Sequence, residues 1–436
     1  MLSTLIRLSA ASLLLPVAAL AQDRPRVRDL GIPIGGTPGR FDAITDVAGV
    51  EVGHATIVSG SGPLVVGTGP VRTGVTAVFA RGRAGSDSVF AGWFALNGNG
   101  EMTGTTWLEE SGRLDTPILL TNTHSVGVVR DATIAWMMRK RPGFLFALPL
   151  VAETWDGVLN DTDGFHVREE HVVAALDGAA GGRVPEGNVG GGTGMTCHGF
   201  KGGIGTASRV LPPAAGGWTV GVLVQCNYGQ RRLLRIAGVP VGEEIRDLTR
   251  CIEGTTVPAR AWLRALPRCE RASGARTSGD GASEERASGG AGAADGPAAP
   301  AARLEEGMGS IIIVVATDAP LLPHQLERVA KRASLGVGRM GGLGEDSSGD
   351  IFVAFSTANP AAGADTGVVR LTMLPNDRID PIFEATVQAT EAAIVNAMLA
   401  AETMTGADGV RTYALPHDRL VAVMRKYGRL GAAASP

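Results

Sequence analysis

The sequence predicts an α/β fold, a layered sandwich in which helices cover sheets, and three observations lead there. Short β-branched runs alternate with glycine-rich turns through the first part of the chain. Ser310-Ile311-Ile312-Ile313-Val314-Val315-Ala316 is an unbroken apolar run, as in a strand covered on both faces. From Asp380 onward, Ile382, Phe383, Val387, Ile394, Val395 and Met398 fall at helical spacing.

In chain order, the first element is not part of the fold. Residues 1–21 carry Arg7, an apolar run from Leu8 to Leu20 and the small-x-small triplet Ala19-Leu20-Ala21, which reads as an export signal cleaved before Gln22. The run is shorter than the ~20 residues a membrane span needs, and Pro16 interrupts it. A protein without a membrane span, periplasmic or secreted, is the expectation. Strands follow over Val75 to Phe79, Pro117 to Thr121, Phe144 to Val151 and Trp218 to Gln225. From Arg271 to Arg303 there is no Val, Ile, Leu, Met, Phe, Tyr or Trp, so burial cannot offset the entropy of ordering, and this stretch reads as a linker or insertion. Beyond it come the 310–316 strand, a helix from Pro323 to about Leu335, a strand from Ile351 to Ser356, and a last helix. Asp380-Pro381 supplies that helix with an N-cap and first-turn proline, and Gly406 is expected to end it.

Composition narrows the function. The chain has 436 residues, 62 of them glycine, without the G-X-Y period of collagen. With 44% hydrophobic and 19% charged residues it can bury a large core. Forty basic against forty-three acidic residues leave a net charge of −3, which argues against a nucleic-acid partner. Four cysteines are too few for a disulfide scaffold; Cys251 and Cys269 could pair, and Cys197-His198 alone cannot make a zinc site. No structural metal and no cofactor are expected.

The common hydrolase motifs are missing. There is no HExxH; His166 and His171 lie five apart and read as solvated polar residues. Thr123-His124-Ser125-Val126-Gly127 lacks the first glycine of a nucleophile elbow, and no lysine follows a serine by three. The glycine cluster 187–194 fits neither GxGxxG nor GxxxxGK[ST], and tight turns with close backbone approach explain it better.

One peptide bond is different. At Gly309-Ser310 an irregular approach ends and a buried strand begins with a hydroxyl-bearing residue. Read locally this is a turn before a strand. A serine there can also attack the preceding carbonyl, shift the acyl chain from nitrogen to oxygen and let water cut the ester. Ser310 would then carry a free α-amino group of pKa near ~7.7 to 8.0, a general base that needs no histidine. A preceding glycine leaves the carbonyl open to attack, and the upstream linker gives the new ends slack.

Over most of the mature chain the sequence resembles the self-cleaving aminopeptidases of the DmpA and β-aminopeptidase type. The resemblance is carried by Ala43-Ile44-Thr45-Asp46-Val47 with Val52-Gly53-His54, Asn97-Gly98-Asn99-Gly100-Glu101, Glu153-Thr154 with Asp156, Leu159-Asn160-Asp161, Phe200-Lys201-Gly202-Gly203-Ile204-Gly205-Thr206, Asn227-Tyr228-Gly229, Gly309-Ser310, Ala316-Thr317-Asp318-Ala319-Pro320-Leu321 and Ser348-Gly349-Asp350. It implies an αββα four-layer sandwich similar to N-terminal-nucleophile hydrolases, with different connectivity. It also implies cleavage between Gly309 and Ser310 into an α-chain (22–309) and a β-chain (310–436) that form one domain and assemble as oligomers of αβ units. Ser310 becomes the nucleophile, and Ser348 and Asp350 orient it and relay protons. Asn227 is implied as the oxyanion donor and Glu153 as the holder of the substrate ammonium, with Trp155 an aromatic wall. The expected substrates are small peptides or amino-acid amides and esters with an L-, D- or β-amino terminus. A broader amidase of the nylon-oligomer-hydrolase type is the alternative within the fold, although those relatives use threonine. A non-catalytic secreted scaffold is the alternative outside it.

Overall fold

The protein is described by a computed structural model that covers residues 24–85, 88–141, 145–270, 309–364 and 367–430. The export-signal and linker readings, 1–21 and 271–303, lie outside the described residues. Two sheets dominate. The first contains β1 (Glu51–Ser59), β2 (Val71–Phe79), β5 (Ile118–Asn122) and β6 (Leu150–Thr154), in that order, antiparallel except for the parallel β5/β6 pair. The second has the order β4 (Arg113–Leu114), β3 (Val89–Ala95), β13 (Ile351–Ser356), β12 (Ser310–Thr317), β10 (Thr219–Asn227) and β9 (Gly203–Val210), with only β12/β13 parallel. Small pairings add β7 (Thr196–Cys197) with β8 (Phe200–Lys201), and β11 (Cys251–Ile252), β15 (Val410–Thr412) and β14 (Met404–Thr405). The helices are α1 (Thr105–Ser111), α2 (Val126–Lys140), α3 (Glu169–Asp177), α4 (Val241–Glu244), α5 (Pro323–Arg339), α6 (Asp380–Ala400) and α7 (His417–Lys426).

The layering follows from the two-residue period of β12. Ile311, Ile313 and Val315 face one way and join Leu326, Val329, Ala333 of α5 and Ala389, Ala393, Ala397 of α6 in one core. Ile312, Val314 and Ala316 face the other way and pack on Ile118, Leu120, Leu150 and Ala152 of the first sheet. The far face of that sheet, with Val75, Ala77, Leu119 and Val151, is covered by Val129, Trp136 and Met137 of α2 and Val172, Leu176 of α3. The result is helix, sheet, sheet, helix: the αββα sandwich. A strand buried on both sides, as its apolar run requires, sits at its centre.

Some boundaries differ from those expected. Of the strand read over Phe144 to Val151, Phe144 lies outside the described residues and the rest begins only at Leu150, because Pro149 has no N–H for a ladder; Leu145 and Phe146 before it are exposed. Helix α5 runs past Leu335 to Arg339, since Gly336 allows close approach to Thr390 of α6, where a Cβ would lie 2.6 Å from the threonine Cβ. Helix α6 has Asp380 inside it, after Ile379, and ends at Ala400 rather than near Gly406, because Met404 and Thr405 pair with β15. His166 is not solvated: it lies largely buried with Nε2 2.7 Å from the Asp161 carboxylate. Among the described residues no helix is long and apolar enough to cross a membrane.

Candidate active site

Ser310 opens β12, between β13 and β10, and its Cα partner is Asn227, the last residue of β10. The strands meet so tightly that a Cβ on Gly309 would lie 2.0 Å from the Asn227 carbonyl oxygen, and Gly309 has φ +141°. Only glycine fits both conditions. The Ser310 side chain is buried, with Oγ accepting a hydrogen bond from Gly349 N at 3.0 Å.

The segment Ser348-Gly349-Asp350 wraps Ser310 just before β13 begins. Gly349 can do so because Gly100 crosses it with no side chain between: a Cβ on Gly349 would lie 2.4 Å from Gly100 Cα. Asp350 is fully buried, and its Oδ1 accepts from Ser348 Oγ at 2.6 Å and from Ile311 N at 3.1 Å. Asn97 Nδ2 donates to Oδ2 at 3.4 Å, while Asp350 N donates back to Asn97 Oδ1 at 2.6 Å. Burial pushes the Asp350 carboxyl up to about 6, against the hydrogen bonds from Ser348 and Ile311, with nearby Glu345 adding to the rise. Ser348 and Asp350 thus bond to each other on either side of Gly349, whose N–H reaches Ser310 Oγ.

Asn227 is held at both ends of its amide. Oδ1 accepts from Thr196 N at 2.8 Å, and Nδ2 donates to the Trp155 carbonyl at 2.9 Å, which fixes the amide and leaves a second N–H on Nδ2. A Cys197–Cys226 disulfide joins the residue after Thr196 to the residue before Asn227. Nothing in the sequence pointed to this pair, whose members meet only through the β7/β8 hairpin. The Cys251–Cys269 pairing, left open by the sequence, is also present.

Glu153 lies on β6, buried, and its carboxylate accepts from Glu101 N at 3.0 Å and from Thr123 Oγ1. Burial raises its pKa above the usual carboxylate range, partly opposed by the Thr123 and Glu101 hydrogen bonds. The loop 97–101 therefore reaches both carboxylates, Asp350 through Asn97 and Glu153 through Glu101. Trp155, two residues on and partly exposed, packs against Trp262 with ring centroids 6.3 Å apart.

The described residues thus bring together Ser310, Asn227, Ser348 and Asp350, and link Glu153 and Trp155 to them through Asn97, Glu101 and Asn227. The arrangement offers a buried hydroxyl, an oriented amide donor and two carboxylates, one beside the hydroxyl and one apart from it. Sequence reasoning gave no role to Asn97, Thr123 or Thr196. Thr123 belongs to the segment dismissed as a nucleophile elbow, and that segment does join β5 to α2, but Ser125 is buried. The glycine turn 190–192 is a packing device, as read: a Cβ on Gly191 would lie 2.1 Å from Gln225 Oε1. Among the described residues no three His, Cys, Asp or Glu side chains cluster as metal ligands.

Several known proteins are similar to this chain over nearly its whole length. The model of a family described as peptidase family S58 matches residues 42–412. A beta-peptidyl aminopeptidase, BapA, of Sphingosinicella microcystinivorans is 52% identical over 97% of this chain and 97% of its own. The protein of the same name from Sphingosinicella xenopeptidilytica is 44% identical over 95% and 94%. Among solved structures, a Burkholderia sp. beta-aminopeptidase is similar with a TM-score of 0.74 and 46% identity, covering 93% of this chain and 99% of that one. The L-aminopeptidase D-Ala-esterase/amidase of Ochrobactrum anthropi, described as a variant of the Ntn hydrolase fold, gives a TM-score of 0.76 and 42% identity over 94% and 100%.

Proposed function

The chain belongs to peptidase family S58, and on that premise we propose that it is a self-processed N-terminal-serine aminopeptidase. The observation that carries this reading is the Gly309-Ser310 junction: a glycine whose backbone angle and approach to the Asn227 carbonyl penalise any side chain, followed by a serine whose hydroxyl lies in a buried hydrogen-bonded cluster with Gly349, Ser348 and Asp350. In maturation, Ser310 Oγ attacks the Gly309 carbonyl, the acyl group moves from nitrogen to oxygen, and water hydrolyses the ester. Gly309 leaves as a carboxylate at the end of the α-chain, and Ser310 begins the β-chain with a free amine. The two chains stay together as one domain, since β12 lies between β13 and β10.

In turnover the Ser310 amine takes the hydroxyl proton as Oγ attacks the substrate carbonyl. Asn227 Nδ2 donates its spare N–H to the developing oxyanion. The proton passes to the leaving amine, and water resolves the acyl-enzyme. Ser348 and Asp350 hold the hydroxyl and amine in register. Glu153 pairs with the substrate ammonium and so restricts the enzyme to free amino termini, while Trp155 and Trp262 wall the first side chain. Because both curated relatives are named beta-peptidyl aminopeptidases, N-terminal β-amino acids are the first substrates to try, beside L- and D-residues. Two disulfides suit an oxidising compartment, so residues 1–21 are assigned to export and the mature αβ units, assembled as oligomers, to the periplasm or the secreted space.

Denaturing electrophoresis with N-terminal sequencing tests this. Active protein should show two fragments, the smaller beginning at Ser310, and Ser310→Ala should stay as one inactive chain. Active material in which mass spectrometry finds an unbroken 309–310 link overturns the reading.

A further inference from the structure

Lys201 is fully buried on β8, and every hydrogen bond of its Nζ goes to a backbone carbonyl: Met195 O at 2.8 Å, Gly202 O at 3.0 Å and Gly192 O at 3.4 Å. Three acceptors complement the three N–H groups of an ammonium, whereas a neutral amine has only two to give. Burying such a group with no carboxylate is costly, and burial alone brings it down to about 7. A leucine would fill a purely structural position on this hairpin at less cost.

The Met195 carbonyl belongs to the same peptide group as the Thr196 N–H. That peptide accepts from Lys201 Nζ at one end and donates to Asn227 Oδ1 at the other. Asn227 Nδ2, at the far side of the same amide, carries the spare N–H. A continuous chain therefore runs from ammonium to peptide to carboxamide, with every dipole pointing the same way. In a dry interior each bond of such a chain polarises the next.

We infer that Lys201 is a positioning residue for the oxyanion site, acting through the Met195–Thr196 peptide to orient and polarise Asn227. The inference rests on the oxyanion role proposed above for Asn227. The cation fixes the turn 192–196 by gathering its carbonyls, and its charge makes the Asn227 N–H a stronger donor to an anion than to a neutral carbonyl. It therefore favours the transition state over the ground state, so its removal lowers kcat and leaves KM nearly unchanged. Other charged or titratable groups face the hairpin and its loop: His198 in the hairpin turn, Arg231 against Phe200, Arg250 bonded to Thr196 Oγ1, Tyr413 through its backbone carbonyl, Asp156 against Gly194 and His54 against Gly190. None of these side chains is a partner of Nζ.

The test is a double-mutant cycle on mature, cleaved enzyme, with a β-amino acid p-nitroanilide as probe. Lys201→Gln keeps hydrogen-bond donors without charge, Lys201→Met keeps neither, and Asn227→Ala removes the acceptor of the chain. Loss of kcat on the order of tenfold in Lys201→Gln, larger in Lys201→Met, and absent when Asn227 is already alanine, is the expected result. An unchanged kcat in Lys201→Gln, or the same factor lost in both Asn227 backgrounds, overturns the inference. If Asn227→Ala alone leaves kcat intact, the underlying oxyanion assignment fails instead. Should the lysine variants not fold, the uncleaved Ser310→Ala chain, which has no Ser310 amine, decides by NMR: the Asn227 side-chain amide signal should move with pH as the lysine titrates around 7, and a signal that stays fixed between pH 6.5 and 9 overturns the inference.

Discussion

Asp350→Asn separates what the carboxylate costs from what it does. Burial raises this group from 3.8 to about 6, a difference worth about 3 kcal/mol, because the folded chain must ionise it out of water. The unfolded chain ionises it near ~4, so between about 4 and 6 the folded state binds more protons. The favourable linkage contribution is therefore full below pH ~4 and is lost as pH rises through about 6. Asparagine carries no charge to desolvate, and its carbonyl oxygen can keep both bonds that Oδ1 accepts from Ser348 Oγ and Ile311 N, but its NH2 then faces Asn97 Nδ2. At pH 4, where Asp350 is itself neutral, the variant should be less stable than the parent by the cost of that mismatch, about 1 to 3 kcal/mol. Between pH 4 and 8 the comparison should shift in the variant's favour by up to about 3 kcal/mol, while activity in a processed background falls at least ~100-fold. The measurement is urea unfolding followed by tryptophan fluorescence, made in the Ser310→Ala background so that one chain unfolds in both proteins. A stability difference constant across that pH range would falsify the argument, because Asp350 would then not titrate inside the folded protein near 6.

Two further substitutions probe the ends of the site. Glu153→Gln keeps an oxygen to accept from Glu101 N, turns an N–H toward Thr123 Oγ1, whose hydroxyl can accept it, and removes the charge, so KM for a free amino terminus should rise roughly tenfold to a hundredfold with a much smaller change in kcat. Since burial raises the Glu153 pKa, the wild-type KM should also climb as pH falls through that raised value, and the glutamine variant should lose this dependence; equal pH profiles of KM for the two proteins exclude the ammonium role. Gly309→Ala puts a methyl group 2.0 Å from the Asn227 carbonyl at φ +141°, which should cost about 2 kcal/mol or more in the uncleaved Ser310→Ala chain and slow self-cleavage in the parent. A variant that melts and processes like the parent shows that the junction relaxes freely.

The layered fold was legible because its central strand has no polar residue after Ser310 until Thr317, and only a strand between a helix layer and a second sheet can hide such a run on both faces. Boundaries were less legible where a local rule met a tertiary one. Pro149 delayed β6 by local chemistry that the apolar run concealed. Helix α5 continued through two glycines because Gly336 seats Thr390, a reason that exists only once α6 is beside it. His166 looked solvated because its acid, Asp161, acts across a turn rather than along a helix face.

The site was legible along the strands and illegible across them. Ser310, Asn227, Ser348 and Asp350 all lie at strand ends, and resemblance to a family supplied their roles. The groups that hold them are backbone amides and loop carbonyls, which every residue carries and no sequence singles out. Gly349 N reaches Ser310, Thr196 N reaches Asn227 and Glu101 N reaches Glu153. What a sequence does record is the condition for such contacts: glycine where chains cross, at 100 against 349 and at 309 against 227. The 62 glycines thus include the places where backbone groups come close to the side chains of the candidate site. Lys201 belongs with them, since a cation bonded only to carbonyls leaves no charge pattern to find and becomes visible only when the loop it gathers is seen to end on Asn227.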